Sequence, residues 1–347
     1  MRPKRTTLKD VAAHVGVHYS TVSRALAPQT DYRMSPELRE RVHQAVAELK
    51  YRHNAAAVSL RTNSSKTIGI LVPDITNPLF GPIIKGVDKV MSEQGYVALI
   101  GDTCNDPERE RTLVSTFLTR GIEGLIVASA LHQDEVVSAV SEDGTPIVTV
   151  NSRVQDKTVS SVGHNAKAGF GEVMTLLTQL GHVDIAYISG PPEWSTSKER
   201  MAAFKHWCKR CDITFNEKLV IYADEYNEEN GVRGGRKLVD QGLKFTAVVG
   251  ANDLLAMGAM SALQELGIEC PKQVSVVGFN DIPMAQHRTP PLTTVKIDPY
   301  LAGIKAAEIL FADIQLPAEA RKPKHILLPV SLVVRSSTAS VRRTPKR

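Results

Sequence analysis

The chain has 347 residues and a net charge of +5, and its 42% hydrophobic and 23% charged content is typical of folded globular domains. No apolar run approaches the roughly 18 residues needed to cross a bilayer, and the N-terminal segment MRPKRTTLKD has no signal-peptide core. These features disfavour a membrane or secreted protein and predict a cytoplasmic one of two or three domains.

Positive charge is concentrated near the N-terminus. Residues 1–62 hold 11 Lys and Arg residues against five acids, whereas the remaining 285 residues are nearly neutral. A small basic head on a neutral body is the distribution expected when only the head contacts a polyanion.

The first elements of the head predict a helix-turn-helix. Thr7 precedes an apolar-periodic run and Asp10 follows three residues later, which indicates a capped helix start. Gly16 then allows a tight turn into a second helix that contains YSTVSRAL. In such a unit the second helix enters the DNA major groove, while an apolar stripe formed by Val17, Val22 and Leu26 packs on the first helix.

The polar side chains of the second helix are then candidate DNA contacts. Tyr19 and Ser20 are predicted to approach base edges, and Arg24 to reach a guanine edge or a phosphate. Thr21 and Ser23 suit phosphate oxygens. The alternative is a solvated helix face, which the basic charge and the turn spacing both disfavour.

A third helix is predicted to begin at Ser35-Pro36-Glu37, which supplies an N-cap, a first-turn proline and a first-turn acid. Asn54 then caps the run AAAVSLR, which is too short to be stably helical alone in water. A polar linker, 62–66, leads into the rest of the chain.

The ordered set TLKDVAAHVGVHYSTVSRAL, KYRHNAAAVSLR, TIGILVPDITNPLF, LGHVDIAYISGP, ANDLLAMGAMSALQELGI, VSVVGFNDIP and PPLTTVKID resembles the lactose-repressor/galactose-repressor family of bacterial transcription regulators. The resemblance covers essentially the whole chain. It implies that 54–61 is a hinge helix which forms on operator DNA and inserts Leu60 into the minor groove with Ala57 alongside. Three residues depart from the family pattern: His18 replaces a serine or threonine cap, His53 a proline, and Val58 an arginine.

Beyond Thr67, short β-branched runs alternate with amphipathic runs of 10 to 15 residues. This pattern predicts a doubly wound α/β body with parallel sheets, and the number of units exceeds one sheet. The candidate buried strands are TIGILVP, YVALIG, GLIVAS, PIVTVN, DIAYISG, TAVVGA and VSVVGF.

The resemblance implies a two-lobed body of the periplasmic-binding-protein type. The predicted domains are a DNA-binding head at 1–53, the hinge and linker at 54–66, and an effector-binding and dimerisation domain at 67–335. Within the body, lobe one is predicted at about 67–163 and 291–321 and lobe two at about 164–290 and 322–335. Residues 336–347 are predicted to be a disordered basic tail.

Polar groups follow the predicted strands at their carboxyl ends, where ligands bind in such folds. By resemblance, the residues that line an effector pocket are Asn77, Phe80, Asn151, Arg200, Tyr226, Asn252 and Asn280. Singly, each could equally be a loop or turn residue. Asn151, His164 and Asn280 stand where relatives often carry aspartate, so with Arg200, Arg153 and Lys198 the cleft is predicted to favour an anionic sugar derivative.

No metal site, cofactor or catalytic site is expected. Cys208 and Cys211 form a lone CxxC without further ligands, and the scattered histidines lack metal spacing; His182 is predicted to be a structural hydrogen-bonding residue. No nucleophile with its base is tied to a motif.

These observations predict a homodimeric, sequence-specific transcription regulator, most simply a repressor, that binds pseudo-palindromic operator DNA under control of a small-molecule effector. An activator or dual regulator remains an alternative, as do a solute-binding protein and a sugar-processing enzyme that share the body fold. The identity of the effector and the sign of its action are left open.

Overall fold

The computed structural model describes residues 6–26, 34–51 and 64–341. They fall into two compact units, Met1–Ser65 and Lys66–Arg347. We refer to these as the head and the body. None of the helices in the described ranges has the length and apolar character required to span a membrane.

The head contains three helices: α1 (Leu8–Val15), α2 (Tyr19–Ala25) and α3 (Pro36–Glu48). Their buried faces form one small core of Val11, Ala12, Val15, Val22, Ala25, Val42 and Ala45. The predicted turn is confirmed, because Gly16 ends α1 with a φ of 74°, in the left-handed region that favours glycine. Arg41 of α3 donates to the Val15 carbonyl at 2.8 Å and so satisfies an exposed end of α1.

The body contains two six-stranded sheets with helices packed on them, which confirms the predicted fold class. The first sheet has the order β11-β5-β4-β3-β1-β2 and is parallel throughout. Its strands are β1 (Thr67–Val72), β2 (Val97–Asp102), β3 (Leu125–Val127), β4 (Ile147–Val150), β5 (Ser160–His164) and β11 (His325–Leu328). The helices of this lobe are α4 (Phe80–Glu93), α5 (Pro107–Thr119), α6 (Glu135–Glu142) and α11 (Pro299–Ile314).

The second sheet has the order β12-β10-β9-β8-β6-β7 and is parallel except for its edge strand β12. Its strands are β6 (Ile185–Ser189), β7 (Val220–Tyr222), β8 (Ala247–Gly250), β9 (Ser275–Asn280), β10 (Thr293–Lys296) and β12 (Ser331–Val333). The helices of this lobe are α7 (Ala166–Gln179), α8 (Ser195–Arg210), α9 (Glu228–Asp240) and α10 (Asp253–Glu265). All seven predicted strand runs form strands of these two sheets.

The chain crosses between lobes later than predicted at two places. β10 pairs with β9 in the second sheet, so 293–296 belongs to lobe two and not to lobe one. β11 pairs with β5 in the first sheet, so 325–328 belongs to lobe one and not to lobe two. Strand pairing decides lobe membership here, and the apolar pattern of these short strands does not specify a partner.

The predicted disorder of the tail is wrong for 336–341, while 342–347 lies outside the described residues. Ser337 is fully buried in lobe two, where its hydroxyl donates to the Val276 carbonyl at 2.6 Å and accepts from the Thr293 amide at 2.7 Å. His182 bonds the Ala339 carbonyl at 3.0 Å and the Thr246 hydroxyl at 2.9 Å, which confirms its predicted structural role. The basic composition of this segment gave no indication of these buried contacts.

Strand order locates the ligand-binding edge of each sheet. β1 lies between β2 and β3, and β6 lies between β7 and β8, so each sheet has a topological switch point beside its first strand. Ligands bind outside the carboxyl ends of strands at such points. Backbone contacts join the lobes nearby, through a bridge between Leu131 and Trp194 and a hydrogen bond from the His132 amide to the Glu193 carbonyl at 3.2 Å.

Candidate functional site

Helix α2 presents polar side chains on the face opposite the head core. Val22 and Ala25 are buried and fix the helix, whereas Tyr19 is 49% exposed and Arg24 is exposed. Ser20, Thr21 and Ser23 are half-buried. The face can therefore approach a surface through a phenol and a guanidinium, with hydroxyls beside them.

The start of α2 is capped although His18 replaces the usual hydroxyl residue. The His18 Nδ1 atom accepts from the Ser20 amide at 3.4 Å and lies 2.8 Å from the Ser20 hydroxyl. The His18 ring also contacts the Tyr19 ring, with 4.3 Å between centroids. The His18 imidazole therefore caps α2 in the way a serine hydroxyl would, and it contacts both Ser20 and Tyr19 at the helix start.

Thr7 is exposed at the N-terminus of α1, where it forms the predicted capping box with Asp10. Its amide donates to the Asp10 carboxylate at 2.7 Å. The remaining predicted DNA contacts, Asn54, Ala57 and Leu60, lie outside the described residues.

A cleft between the two lobes of the body brings all seven predicted effector residues together. It encloses about 540 Å³ of space, including its open mouth. Lobe one contributes Asn77, Phe80 and Asn151, and lobe two contributes the other four: Arg200, Tyr226, Asn252 and Asn280. Sequence reasoning missed eight further lining residues: Pro73, Asp74, Leu79, Asn105, Trp194, Thr196, Glu225 and Asn227.

Arg200 is the charged centre of the cleft. Its side chain is 6% exposed, lies 4.2 Å above the Phe279 ring, and donates to the Ala251 carbonyl and, at 3.1 Å, to the Asn280 side-chain oxygen. A guanidinium has five N–H donors in a fixed plane. These contacts therefore hold Arg200 in one orientation and leave donors for a ligand.

Tyr226 forms one wall of the cleft. Its hydroxyl lies 2.6 Å from the Ser197 hydroxyl, and its ring meets Trp194 edge to face with 6.5 Å between centroids. Gly190 makes room for it, because a Cβ at that position would lie 2.1 Å from the Tyr226 ring. The glycine after β6 is therefore required by the position of this tyrosine.

The strand ends of lobe two are fixed by a buried carboxylate. Asp253 is completely buried and accepts from the Ile282 amide at 2.8 Å and from the Thr294 hydroxyl. Burial raises the pKa of this carboxyl to about 6 despite those donors. Its neighbour Asn252 caps α10 by accepting from the Leu255 amide at 2.9 Å. The loop that carries Asn280 is thereby tied to the start of α10.

In lobe one, the cleft residues Asn77 and Asp74 form hydrogen bonds with residues close to them in sequence. The Asn77 side-chain oxygen accepts from the Leu79 amide at 3.1 Å, and Asp74 accepts from the Thr76 amide at 2.8 Å. Phe80 is 4% exposed at the start of α4. Asn151 has a φ of 64°, a left-handed conformation that asparagine adopts more readily than most residues.

The predicted cluster of positive charge is wrong. Arg153 and Lys198 do not line the cleft; Arg153 pairs instead with Glu199 at 2.8 Å, and Lys198 is exposed on α8. The cleft lining includes one guanidinium, that of Arg200, and two carboxylates, those of Asp74 and Glu225. Helix α8 carries Arg200 on its buried side and Lys198 on its exposed side, and the sequence did not specify these directions.

His164 does not line the cleft and does not add charge. It is 8% exposed, and its Nε2 atom lies 3.3 Å from the Asp298 carbonyl. Burial lowers the pKa of its imidazole to about 4, and the nearby Arg200 charge acts in the same direction. The ring is therefore neutral at pH 7.

Two family models match separate parts of the chain. One, described as bacterial regulatory proteins, lacI family, matches residues 7–54. The other, described as a periplasmic binding protein-like domain, matches residues 174–338. The first falls on the helix-turn-helix and the second on much of the body.

Similar proteins are transcriptional regulators. The HTH-type transcriptional regulator AscG of Escherichia coli (strain K12) is 34% identical over 298 residues, which cover 84% of this chain and 87% of AscG. The HTH-type transcriptional repressor CytR of the same strain is 30% identical over 336 residues, which cover 96% of this chain and 97% of CytR.

Solved structures show the same architecture. The lac repressor dimer bound to operator and the anti-inducer ONPF superposes with a TM-score of 0.86 at 29% identity, covering 97% of this chain and 100% of that one. A complex of the transcriptional regulator CelR with cellobiose gives a TM-score of 0.73 at 28% identity, covering 96% and 100%. The family models, the similar proteins and the solved structures all indicate the same family. The chain belongs to the lacI family of bacterial regulatory proteins and is a DNA-binding transcription regulator.

Proposed function

We propose that α2 reads operator DNA and that the protein acts as a repressor. The observation that carries this proposal is the exposed Tyr19 and Arg24 on a helix whose opposite face is fixed in the head core. A helix of this kind fits the major groove, where arginine pairs with guanine edges. Thr7, Ser20, Thr21 and Ser23 would contact phosphates or base edges beside it.

DNA selected from a random pool by the full chain gives the test. Arg24→Ala is expected to weaken binding to the selected duplex by about 1–3 kcal/mol and to weaken binding to random DNA less. Lys9→Ala is the control, because it also removes one positive charge, from an exposed position of α1. It is expected to weaken binding to the selected and the random DNA equally. Equal losses for Arg24→Ala on both DNAs would make Arg24 a phosphate contact.

The relatives support a dimeric repressor. CytR is named a repressor, and the lac repressor neighbour is a dimer on its operator. A two-fold dimer presents two reading helices, so the selected DNA is expected to be a pseudo-palindrome. Leu60, Ala57 and Asn54 of the predicted hinge would contact its centre. An activating or dual role is the alternative. We also propose that the protein acts in the cytoplasm and has no catalytic role, because the similar proteins are named as HTH-type transcriptional regulators or repressors.

The cleft is proposed to bind an uncharged, hydroxyl-rich effector such as a sugar. Its lining holds six asparagines: Asn77, Asn105, Asn151, Asn227, Asn252 and Asn280. An amide offers both donors and an acceptor, which suits the hydroxyls of a sugar. One guanidinium opposed by Asp74 and Glu225 gives no excess of positive charge, so the anionic derivative becomes the second candidate.

Calorimetric titration with a neutral sugar, its aldonic acid and its phosphate distinguishes the two candidates. The neutral member is expected to bind at least about tenfold more tightly, and Arg200→Gln to weaken every member that binds. Arg153→Gln is the matched control outside the cleft. Tighter binding of the charged members would favour the anion. Release of selected DNA by the bound sugar would show induction, and tighter DNA binding would show co-repression.

A further inference from the structure

A second compartment lies beside the cleft, mainly in lobe one, and shares Asn105 and Trp194 with it. With its open mouth included, as for the cleft, the compartment encloses about 780 Å³. Its wall includes the Leu131–Trp194 bridge, where the backbones of the two lobes touch. The compartment therefore has room for a group of several non-hydrogen atoms.

Two deeply buried polar side chains line this compartment and lie close to each other. They are Glu110 of α5, which is 6% exposed, and Ser129 at the end of β3, which is 3% exposed. The Ser129 hydroxyl is close enough to the Glu110 carboxyl to lower its pKa, but among the described residues neither the Glu110 Oε1 atom nor the Ser129 hydroxyl has a hydrogen bond of normal geometry. A buried acceptor without a donor costs free energy, and a ligand that donates hydrogen bonds would recover it.

The charges that face the compartment are mostly negative. Asp106, Glu110 and Arg111 approach from the α5 side, and Asp134 and Glu135 from the start of α6. Arg111 pairs on the surface with Glu108 and, at 4.0 Å, with the exposed Glu135. It therefore does not neutralise the buried carboxyls of Glu110 and Asp134. Asp134 already accepts from the Leu131 amide at 3.0 Å and the Val137 amide at 2.9 Å, whereas Glu110 has an acceptor to spare.

We propose that this compartment binds a protonated primary amine on a short carbon chain, with the ammonium group donating to Glu110 and Ser129. Charge-assisted hydrogen bonds from an ammonium to a carboxylate are stronger than neutral ones. The Trp194 indole would cover the amine, and an indole face also attracts cations. A metal ion fits less well, because no group of three or more His, Cys, Asp or Glu side chains in the described residues could hold one.

The state of Glu110 makes the binding depend on pH. Burial raises the pKa of its carboxyl to about 7, and the Asp134 charge acts in the same direction. At pH 6 most of the Glu110 carboxyls are therefore protonated, and at pH 8 most are ionised. An ammonium ion binds the ionised form, so the affinity is expected to rise about tenfold from pH 6 to pH 8.

Calorimetric titration of the full chain with putrescine, in an amine-free buffer, tests the proposal. Putrescine stays protonated across this pH range, and 1,4-butanediol is its uncharged counterpart. We expect putrescine to bind with the stated pH dependence and butanediol at least tenfold more weakly. Glu110→Gln, which keeps the shape of the side chain, should remove both the tight binding and the pH dependence.

Ser129→Leu provides a second variant that fills the space and leaves Glu110 itself unsubstituted, and it should also abolish binding. Thermal unfolding followed by circular dichroism verifies that each variant is folded. No heat from putrescine at pH 8, equal binding of butanediol, or unchanged binding by Glu110→Gln would each overturn the proposal. Binding of Mg²⁺ alone, without putrescine, would overturn it in favour of a metal site. These heats need neither DNA nor a sugar, so they remain measurable if the proposed function fails.

Discussion

Arg200 in lobe two and Glu110 in lobe one are both buried ionisable side chains, and they line two neighbouring spaces that share Trp194, yet their surroundings differ. Arg200 donates to Ala251 and Asn280 and stacks on Phe279. Glu110 has an oxygen without a partner in the described residues, and it faces the Asp134 carboxylate. Arg200 is therefore held ready in a fixed position, whereas Glu110 has an unmet hydrogen-bonding capacity.

The difference separates two kinds of binding surface. A side chain fixed by its neighbours loses little conformational entropy when a ligand arrives, which favours affinity and selectivity. A buried carboxyl without a donor lowers the stability of the free protein and makes its protonation responsive to pH. Lobe two should accordingly dominate effector affinity, and lobe one should dominate the pH response.

Gly190→Ala is expected to give the largest effect. Its new Cβ would lie 2.1 Å from the Tyr226 ring, so the ring must leave its place against Ser197. Overpacking of this kind costs about 1–3 kcal/mol or more, and sugar binding should fall by well over tenfold. Calorimetry and thermal unfolding measure the two losses.

Gly163→Ala is the matched control in lobe one, where the nearest side-chain atom to an added Cβ is that of Leu327 at 3.8 Å. It should change the free energy of unfolding by less than about 1 kcal/mol. A similar loss in both variants would show that Tyr226 is not held as the structure has it.

Asn280→Ala is expected to come second. It removes the side-chain acceptor of buried Arg200 and places alanine at a φ of 123°, in the region that disfavours side chains with a Cβ. A hydrogen bond to a charged group contributes about 1.5–3 kcal/mol, and unfolding in denaturant measures this loss.

Asn77→Ala is the counterpart in lobe one and removes only an acceptor for the Leu79 amide, at about 1 kcal/mol. The comparison of the lobes would be contradicted if Asn77→Ala reduced sugar affinity more than Asn280→Ala.

Glu110→Gln is expected to stabilise the free protein, by roughly 2–3 kcal/mol at pH 8. The folded pKa of about 7 lies above the ordinary value of 4.5, so the folded state binds the proton more tightly than the unfolded state. Stability is therefore lost as the pH rises from about 4.5 to 7, and the loss is complete above that range. A protein with glutamine at this position does not lose stability in this way, so the stabilisation by Glu110→Gln should be clear at pH 8 and small at pH 5.

Thermal unfolding of both proteins across this pH range measures the gain. A stabilisation by Glu110→Gln that does not change between pH 5 and pH 8 would show that the carboxyl is not titrating in the folded protein.

Local sequence patterns predicted what depends on near neighbours. The Thr7 cap, the Gly16 turn and the strand runs each follow from residues close in sequence, and all are present. The family resemblance supplied the seven predicted effector residues, and all seven line the cleft between the lobes.

Long-range placement was not predictable in the same way. The partners of β10 and β11, the burial of Ser337 and the unpaired Glu110 all depend on residues far apart in the chain. On α8, likewise, Arg200 is buried and Lys198 is exposed, and the sequence pattern did not predict this difference. The sequence gives the residue types at these positions, but it does not show which side chains contact one another in the fold.

Arg153→Gln is expected to give the smallest effect and to examine the contact between the lobes directly. Arg153 belongs to lobe one and Glu199 to lobe two, and their 2.8 Å ion pair has side chains that are 50% and 36% exposed. Exposed pairs contribute about 0.2–1 kcal/mol because water and salt screen them. The backbone amide of Arg153 also donates to the Ser195 hydroxyl at 2.8 Å, and glutamine at this position retains that hydrogen bond. The variant should therefore alter sugar affinity by less than about fivefold at low salt, and by nothing measurable at 0.5 M salt. A larger, salt-independent change would mean that the ion pair, and not the buried groups of lobe two, governs how the lobes meet around a ligand.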